Sequence, residues 1–349
     1  MPRIPLEDNF TDIIGKTQRG LQLTDDALAT AARIPVADLQ AVKAGEIREN
    51  TLLALAPALG LERNALLAIA RREWYPEQPL FKRGFAMFNT TFEDMTVNSY
   101  LVWDAKTKLA AAFDTGADAT AMLDTIAAEG LTLRNIFITH THDDHIADLD
   151  RLAATGAEIW ASELEPVDRP GAKTFQENAH FHLGELSIKT LFTWGHSPGM
   201  TTFFITGLSW PLAIVGDSIF AGSMGGSPTH FAVQLRNNQQ KILPLPADTV
   251  LACGHGPLTT LKQEKQHNPF YANKRWCHAI CPGAAVYDRR PCETAVIDRR
   301  YRIFFTPHFH THFHSFYVHS HHRLRWHRPH GRQHGPPSQG LRLQRHRRL

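Results

Sequence analysis

Apolar positions follow two regimes along the chain. Over residues 10–72 they recur at helical spacing, and from about residue 80 they gather into short β-rich runs. Within residues 21–31, Leu21, Ala27, Leu28 and Ala31 fall near one helical face. Thr24 is placed to cap that helix, and Asp25 and Asp26 sit in its first turn, where the helix dipole favours anions. Ile34-Pro35-Val36 ends it, because Pro35 lacks a backbone donor and disfavours a helical Ile34. A second helix is predicted from about Ala37 to Ala44, stopped by Gly45, and two more over 51–60 and Glu62–Arg71. Trp74, Pro76 and Pro79 mark a linker. Strands are then predicted at Val97–Trp103 and Leu109–Phe113, the second ending at Asp114-Thr115-Gly116. Helix 117–129, strand 134–139, a helix over about 146–154 and strand 157–160 alternate, and strands at 187–193, 211–215 and 249–252 follow. Such alternation predicts an α/β architecture.

The helical layout near the N-terminus resembles the phage-repressor type of helix-turn-helix domain over about 50 residues. The shared features are DDALATAA, the turn at Ile34–Val36, the helix ending in KAGE (43–46) and LLALAPALGL. The resemblance implies that Asp38, Gln40 and Lys43 would face a major groove. Residues 1–72 hold 9 basic and 9 acidic residues, a net charge of zero, whereas a DNA-binding module shows a basic footprint. Charge therefore favours a packing or dimerisation domain over DNA as a partner.

The overall charge of +3 hides an uneven distribution. Residues 1–273 hold 22 basic and 31 acidic residues, a net of −9, and residues 274–349 hold 15 basic and 3 acidic, a net of +12. That last segment also carries 12 of the 21 histidines. HFHTHFHSF and HSHHRLRWHRPH show no regular apolar face, so residues 273–349 read as an Arg/His-rich, disordered arm. Composition changes abruptly after HNPFY (267–271), which also fits translation in a shifted frame or past a lost stop codon. Cys277, His278, Cys281 and Cys292 are poorly spaced for a zinc site. No apolar run approaches the 18 residues of a membrane span, and MPRIPLEDNF lacks the basic start and apolar stretch of a secretory signal, so a soluble, cytoplasmic protein is expected.

The chemistry gathers in four loops, each following an apolar strand. Residues 134–139 lead into His140-Thr141-His142-Asp143-Asp144-His145, and residues 186–192 lead to Gly195-His196-Ser197-Pro198-Gly199. Residues 211–215 precede Gly216-Asp217-Ser218, and residues 248–252 precede Gly254-His255-Gly256-Pro257. Ligands gather beyond strand ends, where loops converge. Neutral imidazoles and carboxylates suit zinc and similar divalent ions without any cysteine, and Cys253 reads as a buried strand-end residue.

HTHDDH, GHSPGMT, GDSIF and GHGPLTT are successive motifs that make residues 80–272 resemble a metallo-β-lactamase-fold hydrolase. GDSIFAGSMGG followed by GHGPLTTLKQEKQHNPF is most similar to the compact bacterial branch related to glyoxalase II. The resemblance implies an α/β fold, an αββα sandwich with metals at one sheet edge. It is preceded by a small all-α domain over 1–75 and followed by the basic tail over 273–349. It also implies two divalent ions, zinc foremost, with iron or manganese as alternatives. One ion would be held by His140, His142 and His196, the second by Asp144, His145 and His255, with Asp217 bridging. The implied activity is cleavage of a thioester of the hydroxyacylglutathione type, or a related ester, by metal-held hydroxide, with Asp144 also orienting the nucleophile. Two alternatives are a mononuclear iron sulfur (persulfide) dioxygenase, using His140, His196 and Asp217 or a similar set, and a DNA-binding regulator whose hydrolase-like domain senses a ligand.

Overall fold

Side chains that alternate across each strand divide the core into layers. In the computed structural model, which describes residues 3–79 and 83–273, the strands form two six-stranded sheets. The first sheet runs β1 (Phe85–Phe92), β2 (Met95–Trp103), β3 (Leu109–Phe113), β4 (Thr132–Phe137), β5 (Glu158–Ser162) and β6 (Lys173–Phe175), each beside the next. β1 to β3 pair antiparallel, and β3 to β6 pair parallel. The second sheet runs β7 (His180–Leu183), β8 (Leu186–Phe192), β9 (Thr201–Thr206), β10 (Leu212–Gly216), β11 (Val250–Cys253) and β12 (Thr259–Thr260). Here β10 and β11 are parallel and the remaining pairs antiparallel.

Between the sheets lie Tyr100, Val102, Phe113 and Phe137 from one side and Phe203, Ile205, Leu212 and Ile214 from the other. The neighbours of these residues point outward. Leu101, Trp103, Ala110 and Ala112 pack with Met122 of α6 (Thr120–Ala128) and with Leu149 and Leu152 of α8 (Leu149–Ala153). On the second sheet Ala213, Val215, Leu251 and Cys253 pack outward against a cluster supplied mainly by the N-terminal helices. These are α1 (Phe10–Gly20), α2 (Asp25–Ala32), α3 (Val36–Lys43), α4 (Glu49–Ala58) and α5 (Arg63–Ala70). The result is an α/β fold of four layers, an αββα sandwich.

Local chemistry explains the helical layer. Asn9 and Asp12 form a reciprocal capping box at the start of α1, and Thr24 caps α2 through the Ala27 N–H. Arg33 adopts a left-handed conformation, and Pro35 stands immediately before α3. The layer is fastened to the sandwich at several points. Gly20 leaves room for Phe231 of α9 (Phe231–Asn237), since a Cβ there would lie 2.5 Å from the ring. Trp74 stacks on His267 of α10 (Leu261–His267) at 5.5 Å, and the Glu62 N–H donates to the Pro269 carbonyl at 2.7 Å. Asp8 accepts from Lys16 and Ser223 at 2.5 Å each, and Lys16 also donates to the Met224 carbonyl at 2.8 Å. Lys43, Arg48 and Arg71 pair with Asp25, Asp38 and Glu49, so each of these cations lies beside a carboxylate.

The predicted helix over 146–154 divides into α7 (Asp143–Ile146), inside the histidine-rich loop, and α8. The predicted helix from 117 starts at Thr120, because Asp118 accepts from the Thr120 N–H at 2.8 Å and holds the preceding residues in a turn. No helix among the described residues is long and apolar enough to cross a membrane. Apart from Asn273, the basic arm read over 273–349 lies outside the described residues, as do Cys277, His278, Cys281 and Cys292.

Candidate metal centre

All four ligand-rich loops leave the same edge of the sandwich, and the seven side chains singled out from sequence converge there. Ligand atoms come together as three overlapping groups: His140, His142 and His196; His140, His145 and Asp217; Asp144, His145 and His255. Atoms within each group lie within 4.8 Å of one another. Asp143, the remaining acidic residue of the first loop, is exposed and belongs to none of them.

Hydrogen bonds at the outward nitrogen of four of the five imidazoles, those of His140, His145, His196 and His255, aim the other nitrogen inward. Thr139 Oγ1 donates to Asp114 and so accepts from His140 Nδ1, at 3.0 Å, which directs His140 Nε2 into the site. His196 Nδ1 donates to the Gly226 carbonyl at 2.7 Å, and His255 Nδ1 to the Thr96 carbonyl at 2.7 Å. His145 Nδ1 donates to Asp114 Oδ2 at 2.8 Å. Thus His140 Nε2 and His196 Nε2, 2.9 and 3.1 Å from His142 Nδ1, both turn lone pairs toward it. Asp217 Oδ2 lies 3.3 Å from His196 Nε2 and 3.5 Å from His255 Nε2, and its Oδ1 lies 3.4 Å from His145 Nε2. Asp144 Oδ2 lies 3.3 Å from His255 Nε2.

Two of these atoms decide whether the residues fit a cation. His145 Nε2 and Asp217 Oδ1 are buried and have no hydrogen-bond partner. Leaving buried polar atoms unsatisfied costs about 1–3 kcal/mol each. Imidazole and carboxylate donors at such spacing, with four of the imidazoles aimed by an outer partner, suit divalent metal ions.

The electrostatics divide the cluster. Burial, with the neighbouring imidazole of His145 adding to it, holds His140 well below the ordinary histidine value. Burial likewise lowers His196, against the pull of Asp217. Burial also opposes charge on His145, but the Asp114 and Asp217 carboxylates prevail and raise it to about 10. His255 is raised to about 11, where Asp217 and Asp144 outweigh burial. Asp217 is held well below the usual carboxylate range by His255 and His145, although burial works the other way.

Two residues that sequence reasoning did not assign to the site support the cluster, Asp114 being read from sequence only as part of a strand-end turn. Asp114, at the left-handed turn after β3, holds His145 and accepts from the Thr139 N–H at 2.7 Å. Glu165 ties two ligand loops together, accepting from the Thr141 N–H at 2.9 Å, Ser197 Oγ at 2.7 Å and the Gly199 N–H at 2.7 Å. The missing side chain of Gly254 is also required, since a Cβ there would overlap Asp217 Oδ1. His140, His145, Asp217 and His255 are at most 5% exposed, whereas His142 is exposed and His196 half-buried. The cluster therefore opens on the His142 and His196 side, where a cavity of about 430 Å³ adjoins His196.

Comparison with known proteins agrees with this arrangement. Residues 93–255 match the family described as the metallo-beta-lactamase superfamily. The chain is 29% identical over 181 residues to the probable metallo-hydrolase YqgX of Bacillus subtilis (strain 168), covering 45% of this chain and 85% of that protein. It is 29% identical over 201 residues to the hydroxyacylglutathione hydrolase GloC of Haemophilus influenzae, covering 51% of this chain and 93% of that protein. With an uncharacterized protein of Aquifex aeolicus (strain VF5) it shares 30% identity over 198 residues, 50% of this chain and 92% of that one. The chain belongs to the metallo-beta-lactamase superfamily, and residues 93–255 are its superfamily domain.

Proposed function

We propose that the chain is a metal-dependent hydrolase acting on a thioester or related ester, with residues 80–272 as its catalytic domain. The observation that carries the reading is the buried pair His145 Nε2 and Asp217 Oδ1, 3.4 Å apart and without a hydrogen bond, where the ligand groups overlap. His140, His142 and His196 would hold one divalent ion, Asp144, His145 and His255 a second, and Asp217 would stand between them. The likeness to a hydroxyacylglutathione hydrolase and a probable metallo-hydrolase supports the reaction class. When bound, a pair of divalent ions lowers the pKa of water from 15.7 to near 7 and stabilises negative charge on a carbonyl oxygen.

The protein residues orient and exclude. Hydrolysis forms a C–O bond from water, breaks the C–S or C–O bond and releases an acid with a thiol or alcohol. Asp144 turns Oδ2 toward His255 and His145, which leaves Oδ1 to hold a proton from water. Burial of His140, His145, Asp217 and His255 keeps bulk water from the inner side, so substrate enters past His142 and His196.

A panel of thioesters, lactones and β-lactams, tested with metal analysis, decides the matter. Two divalent ions per chain are expected, with turnover abolished by a chelator and by His142→Ala. Activity that survives both treatments refutes the mechanism. One iron per chain with oxygen consumption would replace hydrolysis with dioxygenation.

A further inference from the structure

The cavity beside His196 has a volume of about 430 Å³, toward the lower end of the range of about 300–1,000 Å³ usual for small-molecule pockets. Leu164, Trp194 and Pro198 give it an apolar wall, and Thr229 and His230 complete it. The Trp194 ring stands edge-on to His230 at 5.8 Å, and Asn237 Nδ2 donates to the Trp194 carbonyl at 2.7 Å, which fixes the backbone behind the ring. Leu164 is 50% exposed, next to the bracing residue Glu165.

Charge around the cavity is as informative as its shape. No lysine or arginine lines it among the described residues. Lys241, which donates to the Phe192 carbonyl, is paired with Glu177 at 2.5 Å, and Lys16, which reaches Met224, is paired with Asp8. A carboxylate brought into this cavity meets no lysine or arginine among its described lining residues to offset its lost hydration, whereas an alkyl or aryl chain gains by leaving water.

Building on the thioesterase reading, we propose that this cavity receives the uncharged apolar chain of the substrate. The substrates are then neutral acyl thioesters or esters, rather than conjugates of a thiol bearing carboxylates, such as glutathione. The metal-loaded full chain tests this in two ways. Against acetyl, butanoyl and octanoyl thioesters of one neutral thiol, kcat/KM should rise at least about tenfold with chain length, mainly through KM, and Trp194→Ala should flatten the rise. Independently of turnover, hexyl methyl sulfide should produce a saturable change in tryptophan fluorescence that S-methylglutathione does not. Leu164→Ala should weaken that binding at least about threefold while Trp194 remains as reporter. Tighter binding of S-methylglutathione, or a chain-length trend that Trp194→Ala leaves intact, overturns the proposal. If no ester is cleaved but the sulfide binds as expected, the hydrolase reading fails and the pocket assignment stands. Cleavage without chain-length dependence or sulfide binding does the reverse.

Discussion

Replacing Glu264 with glutamine should remove a pH dependence of stability that originates outside the ligand cluster. Glu264 lies on α10 and is fully buried. Its Oε2 accepts from the Gly222 N–H at 3.0 Å and from Asn268 Nδ2 at 2.7 Å, and its Oε1 accepts from Thr259 Oγ1 at 2.7 Å. Burial outweighs those three hydrogen bonds and raises the carboxyl from 4.5 to about 7. The native carboxyl thus binds its proton more tightly than the unfolded one. Its stabilising contribution is complete below pH 4.5 and lost as pH rises through about 7. At 1.36 kcal/mol for each pH unit between the two values, the loss amounts to about 3 kcal/mol. Glutamine keeps the shape: its carbonyl can accept from Gly222 and Asn268, and its amide can donate to Thr259. The variant should therefore gain about 2.5 kcal/mol on the wild type between pH 5 and pH 8, most of the full effect. Chemical denaturation of both proteins at intervals of one pH unit reads this directly, and taking the difference cancels titrations common to both. Parallel stability curves for the two proteins would refute the reasoning.

Other substitutions address the site. Asp114→Asn can replace Oδ2, the oxygen that accepts from both His145 Nδ1 and Thr139 Oγ1, with an amide donor, and metal affinity, read by competition with a chelator, should fall about 10- to 100-fold. Gly254→Ala drives a methyl group into Asp217, so it should cost about 1–3 kcal/mol of stability in denaturation and leave metal uptake below one ion per chain. Glu165→Ala unties the loops that carry His142 and His196 and should destabilise the protein by about 3 kcal/mol, with partial recovery in Glu165→Gln.

Much of this architecture was legible in the sequence because it rests on local rules. Thr24, Pro35 and Gly45 mark helix boundaries by their own conformational chemistry, and the structure places α2 and α3 between them. β2, β3, β4, β8, β10 and β11 are apolar runs long enough to stand out, and each ligand loop begins where such a run ends. β6, β7 and β12 are only two to four residues long and depend on pairing with neighbours. In β1, six of eight positions are half-buried and none is fully buried, and Asn89, Thr90 and Thr91 interrupt its apolar residues, so little in Phe85–Phe92 announces a strand. The supporting residues were hidden for another reason. Asp114 meets His145 across 31 residues and Glu165 meets Ser197 across 32, distances over which no local motif operates.

The attachment of the helical layer has a consequence for biosynthesis. Residues 10–70 leave the ribosome well before the residues that cover them. Ile69 and Trp74 close over Gly222, Gly20 receives Phe231, and Glu62 waits for the Pro269 carbonyl. During synthesis of some two hundred intervening residues, this early segment exposes greasy surface that only the emerging second sheet can cover. Chaperone dependence and co-translational aggregation should therefore peak before Pro269 clears the exit tunnel and ease once it does.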